Sequence, residues 1–126
     1  MKTIALGALS LAVISFAVAT DQAAARPAAG HAVRSAALFA RVNVTASEFK
    51  FVLSQASAKR GIVVFRVTNV GALKHDFKIS GRKTRLLSHG QTATLRVSFL
   101  RKGNYAYTCT VPGHAAAGMK GVFTIT

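Results

Sequence analysis

At 126 residues the chain has room for one domain and little else. Its single cysteine excludes the intramolecular disulfides with which small exported domains often reinforce a limited core. Seventeen Lys and Arg against three Asp and Glu give a formal charge of +14, but the export signal that opens the chain argues against a nucleic-acid partner.

That signal is Lys2 followed by a small, apolar run over residues 4–18, with cleavage-compatible alanines ending at Ala19 and again at Ala25. We read residues 1–25 as a signal peptide cut after Ala19 or after Ala25, too short and wrongly flanked to span a bilayer. Export to the periplasm or the cell exterior follows. Residues 26–40 are Ala-rich, with Pro27 and Gly30 and no strand pattern, and are expected to form a flexible lead-in. The folded domain is expected over 41–126.

Within that domain no long 3.6-residue pattern occurs; short β-rich runs alternate with turn residues. Val42 and Val44 set one phase, and Phe49, Phe51 and Leu53 set another, so two strands or a bulge meet near Ser47 and Glu48. A turn at 59–61 leads into 62–70, apolar on both faces as a central strand would be. A short run after His75, a break at Ser80 and Gly81, and a further run over 83–87 come next. Residues 91–99 give the clearest alternation, with Ala93, Leu95, Val97 and Phe99 on one face. Residues 105–109 and 121–126 complete seven or eight strands, the count and spacing of an antiparallel Greek-key β-sandwich.

Between the last two strands lies the stretch that carries chemistry. The only cysteine, Cys109, is followed by His114 and Met119 at equal steps of five, and Met119 is the only methionine besides Met1. A thiolate, an imidazole and a thioether on one loop are soft donors that suit copper; two histidines, a cysteine and a distant methionine make a blue-copper electron-transfer site. Metal ligation also accounts for a lone cysteine in an exported chain. Spacing alone leaves the second imidazole open between His75 and His89, although His89 stands in a Ser-His-Gly turn where exposed histidines are ordinary.

Tyr105, Tyr107, Cys109, His114 and Met119, with the closing strand after them and the upstream Lys74-His75-Asp76-Phe77 segment, resemble the cupredoxins, the family of plastocyanin, azurin, rusticyanin and auracyanin. The pieces around Pro112-Gly113-His114 and Gly118-Met119-Lys120-Gly121 look most like the auracyanin-type bacterial members. The resemblance implies a single type 1 copper held by His75, Cys109, His114 and Met119. It also implies one-electron transfer without a substrate site, so no enzymatic activity, and redox partners such as a cytochrome or a copper oxidase. One departure stands out: Asp76 occupies the place where the family commonly has Asn, whose side chain ties the two ligand loops together.

The positive charge is expected to steer the protein to an acidic partner, with an anionic membrane surface as the other candidate. A monomer is the default expectation. The alternative function is periplasmic copper handling, as chaperone or buffer, but such proteins lean on exposed Met- and His-rich sets that this chain lacks.

Overall fold

The computed structural model describes residues 10, 12–15 and 39–126; most of the expected signal peptide and nearly all of the lead-in lie outside the described residues. Nine strands follow in order: β1 (Phe39–Ser47), β2 (Lys50–Leu53), β3 (Ser57–Ala58), β4 (Gly61–Asn69), β5 (Lys78–Ile79), β6 (Arg82–Lys83), β7 (Thr92–Phe99), β8 (Gly103–Thr108) and β9 (Lys120–Ile125). They form two sheets, ordered β2-β1-β4-β7 and β3-β9-β8-β5-β6, packed face to face. The chain is therefore the all-β sandwich its strand pattern predicts.

The phase shift between Val44 and Phe49 is a hairpin, with Ser47 opposite Lys50 and Val44 opposite Leu53. β4 is central as expected, flanked by β1 and β7. Not every pairing is antiparallel: β1 runs parallel to β4, and β3 parallel to β9. The cause is topological. From β2 the chain crosses to the second sheet as β3, then returns as β4 beside β1, and two successive changes of sheet leave β1 and β4 pointing the same way. β1 also begins two residues before Arg41, with Phe39 opposite Ile62 and Ala40 opposite Val63.

Alternation places Val42, Val44 and Ala46 of β1, Val63, Phe65 and Val67 of β4, and Leu95, Val97 and Phe99 of β7 between the sheets. Phe123 and Ile125 of β9 and Ile79 of β5 face them. Phe65 is the hub, with ring centroids 5.3 Å from Phe123, 5.4 Å from Phe77 and 6.4 Å from Phe99. Aromatic rings fill a thin sandwich well, since one ring reaches across both layers and burial of each contributes about 2–3 kcal/mol. Phe51, Phe77 and Tyr107 extend this cluster toward one end of the sandwich.

At that end Ala46, near the end of β1, packs in a separate small cluster with Cys109 and Met119, with Phe51 and Val111 alongside. The hydrophobic core thus runs directly into the region of the candidate ligands. Phe65→Ala is expected to cost about 3–5 kcal/mol of stability, read as a lower urea midpoint with an unchanged slope.

Candidate metal centre

Cys109 is the first residue past β8, and its N–H donates to Met119 O at 3.0 Å, across the mouth of the intervening loop. Inside the loop His114 N donates to Val111 O at 3.1 Å, and Met119 N donates to His114 O at 3.0 Å. Gly113 and Gly118 have φ of 84° and 115°, in the left-handed region where side chains are strained, and these two turns let the chain double back. The three candidate donors of the loop are thereby drawn to one point. Cys109 is 2% exposed, His114 8% and Met119 0%.

His75 arrives from the opposite ligand segment. Its N–H donates to Leu87 O at 3.0 Å and its carbonyl accepts from Leu87 N at 2.8 Å, so a two-residue bridge fixes its backbone. Its Nδ1 lies 3.1 Å from His114 Nδ1, which is 3.6 Å from Cys109 Sγ. The ligand atoms of His75, Cys109 and His114 all lie within 4.8 Å of one another, and all three residues are buried. Donors held at roughly 2.0–2.3 Å from one ion have such separations, so this set fits a soft metal. His89 does not join it: exposed, it makes its hydrogen bond at 3.0 Å to Gly71 O instead. His31 lies outside the described residues.

Three polar side chains hold this arrangement. Asp76 takes up the tie left by the family's Asn: its carboxylate accepts from Thr110 N at 2.6 Å and from the Thr110 hydroxyl, with Lys83 Nζ 3.8 Å away. The segment with His75 is thereby fastened to the one with Cys109, and the ammonium offsets part of the buried charge. Asn69, fully buried, donates to Leu73 O at 2.7 Å and Leu87 O at 2.8 Å and accepts from Gly71 N at 2.8 Å, shaping the loop before His75.

Glu48, in the β1–β2 turn, is the member that motif reading misses. Its Oε1 accepts from Leu73 N at 2.7 Å and stands 3.3 Å from His75 Nε2. A carboxylate can only accept, so Nε2 carries the proton and Nδ1 turns its lone pair toward Cys109 and His114. The N–H of Leu73, chiefly, holds the Glu48 carboxyl below its usual range. Gly71 makes room for it, since a Cβ there would come to 2.5 Å from Oε1.

Burial, above all, pushes the Cys109 thiol up, although the backbone N–H groups of Asp76 and Val111 pull it down. Without metal the sulfur is thus a buried thiol, and a bound cation must displace its proton.

A family model described as copper binding proteins, plastocyanin/azurin family, matches residues 37–126. Auracyanin-B of Chloroflexus aurantiacus is 42% identical over 43 residues, a stretch covering 34% of this chain and 18% of that protein. Among solved structures, dithionite-reduced auracyanin from Roseiflexus castenholzii superposes with a TM-score of 0.61 at 20% identity, over 68% of this chain and 96% of that one. Reduced rusticyanin gives 0.58 at 18% identity, over 71% and 80%. A multicopper oxidase gives 0.55 at 16% identity, but over only 42% of its own length. At these identities the structural likeness speaks for the fold.

Asp76→Ala in the metal-free protein is expected to lose about 1–3 kcal/mol of stability, because Thr110 N–H then lacks its acceptor; urea unfolding measures it, and Asp76→Asn should lose less than half as much. Thiol deprotonation sets a second expectation. From about pH 7 to about pH 9, below the raised thiol, apparent copper affinity should rise about tenfold per pH unit as the thiol proton is displaced. Competition with a chelator of known pH dependence reads this slope, and a plateau in that window would mean that the thiolate already exists.

Proposed function

Since the chain belongs to the plastocyanin/azurin family of copper-binding proteins, with one copper ion as its cofactor, we propose that it is an exported carrier of single electrons. The observation that supports this most is the buried convergence of two imidazoles and a thiol on one point at the end of the sandwich. Copper there supplies a one-electron couple, Cu(II)/Cu(I).

In this reading His75 Nδ1, His114 Nδ1 and Cys109 Sγ are the strong donors and Met119 the weak fourth. Each is held by the protein's own hydrogen bonds: His75 by Leu87 and Glu48, Cys109 by Met119 O, His114 by its loop contacts. Donors that cannot move far present almost the same cage to both oxidation states, which keeps the reorganisation accompanying electron transfer small. Met119, wholly buried against Cys109, would exclude water from that side of the site and offer a thioether, which favours the reduced ion relative to an oxygen ligand.

His114 is the ligand nearest the surface. Phe49 meets its ring edge to face at 5.2 Å, and Phe49, Val70 and Leu73 are exposed apolar residues of the same end. With Pro112, Ala116 and Ala117 of the ligand loop they give an uncharged rim around the histidine. A small, apolar face suits brief encounters that must dissociate after each electron. Lys74 and Lys120, exposed beside this rim in sequence, would orient an acidic redox partner such as a cytochrome or a copper oxidase.

The test is Cu(II) titration of the mature protein followed by ascorbate and reoxidation. An intense blue thiolate-to-copper band that bleaches and returns is the expected result. Cys109→Ser and His75→Ala should abolish it, His89→Ala should leave it, and Met119→Leu should keep it with a raised potential. Copper bound without the band would exclude electron carriage at this site.

A further inference from the structure

The two acids among residues 39–126, Glu48 and Asp76, are both engaged at the metal end. Every Lys and Arg from Arg41 onward is exposed. One region concentrates this positive charge in an ordered way. On the outer face of the first sheet, Arg41 of β1 pairs with Val64 of β4, which pairs with Arg96 of β7. The next outward row is Asn43, Arg66 and Thr94. Three guanidinium side chains therefore form a triangle on adjacent rows, over a groove of about 730 Å³ floored by Val64 and closed at one end by Phe39.

Two features distinguish this face from a merely solvated one. Sheet surfaces normally set unlike charges across neighbouring strands, and like charges repel there; here, among the described residues, no carboxylate lies on the face to relieve them. The cations are also all arginine, whose planar fork bonds phosphate oxygens in pairs, although lysine is abundant elsewhere on the surface. Arg96 lies 4.8 Å over the ring of Phe39, which is 39% exposed, so an apolar edge accompanies the cations.

We propose that this face is a docking surface for the phosphate headgroups of an anionic lipid bilayer. The charge and geometry of this face stand apart from the metal end, and only the choice of occupant rests on the electron-carrier reading. An acidic redox protein must approach the end of the sandwich where His114 lies, whereas the arginines occupy its flank. A broad field of phosphates satisfies three spread guanidiniums without one required azimuth, and Phe39 suits the headgroup boundary. Docked in this way, the protein would keep its metal end free at the membrane surface.

The experiment is co-sedimentation with vesicles of phosphatidylcholine alone and with about 30 mol % phosphatidylglycerol, at about 0.15 M ionic strength where distant charges are screened. The wild type is compared with Arg41→Gln/Arg66→Gln/Arg96→Gln and with Lys59→Gln/Lys78→Gln/Lys102→Gln. The two triple variants have equal net charge, and near-UV circular dichroism verifies that each is folded. Each engaged cation should contribute roughly a fivefold factor in partitioning, so the arginine variant should lose about a hundredfold and the lysine variant less than about threefold. Equal losses would overturn the proposal, leaving net charge alone. Failure of the wild type to bind the anionic vesicles would also overturn it, with an acidic protein as the remaining occupant. So would displacement by inorganic phosphate at matched ionic strength, which would mark a site for a soluble phosphorylated ligand.

Discussion

The carboxylate of Asp76, bonded to the N–H and hydroxyl of Thr110, is the tie on which the rest of this site depends. His75 and Cys109 lie 34 residues apart in sequence and on separate segments, and neither segment holds the other by regular pairing at the ligands themselves. Strand pairing of β5 with β8 stops at Lys78 opposite Thr108, one residue short of the cysteine. Beyond that point the Asp76–Thr110 contact continues the work of the sheet with a side chain. A carboxylate is a stronger acceptor than an amide, and Lys83 nearby lowers the electrostatic cost of placing it under the surface.

The same economy governs charge throughout the domain. Its two acids serve the positioning of donors: Glu48 orients the outer nitrogen of His75, and Asp76 fixes the loop of Cys109. Their negative charge near the site favours the more positive oxidation state, while the apolar packing of Phe51 and Val111 favours the reduced one. The remaining surface is left cationic. That imbalance makes the arginine face conspicuous and gives the protein a positive field.

Much of this was legible in the sequence, for physical reasons. The period-2 alternation of β7 and the runs of β1, β2, β4, β8 and β9 identify the sandwich, because each strand there has one face in the core. The equal spacing of Cys109, His114 and Met119 marks a candidate soft donor set, because all three stand on one loop. Contacts between distant segments were not legible. His75 and His89 were separated mostly through the cupredoxin resemblance, and the folded chain separates them by what else each touches: Leu87 and Glu48 for the one, Gly71 O for the other. Glu48 stood only at a phase shift between strands, since its partners Leu73 and His75 lie 25 and 27 residues away. The parallel pairing of β1 with β4 depends on a change of sheet that local alternation does not encode. β5 and β6 are only two residues each, too short for an alternation to register in the sequence.

A cage built by the protein's own hydrogen bonds should be the same whatever the oxidation state of its metal. Crystal structures of the copper-loaded protein, oxidised and reduced, with the metal-free form beside them, test it most directly. The account predicts one ion bound by His75 Nδ1, His114 Nδ1 and Cys109 Sγ, with these atoms shifting by less than about 0.5 Å among the three states. Copper bound elsewhere, or a ligand loop that rearranges between the two oxidation states, would contradict it.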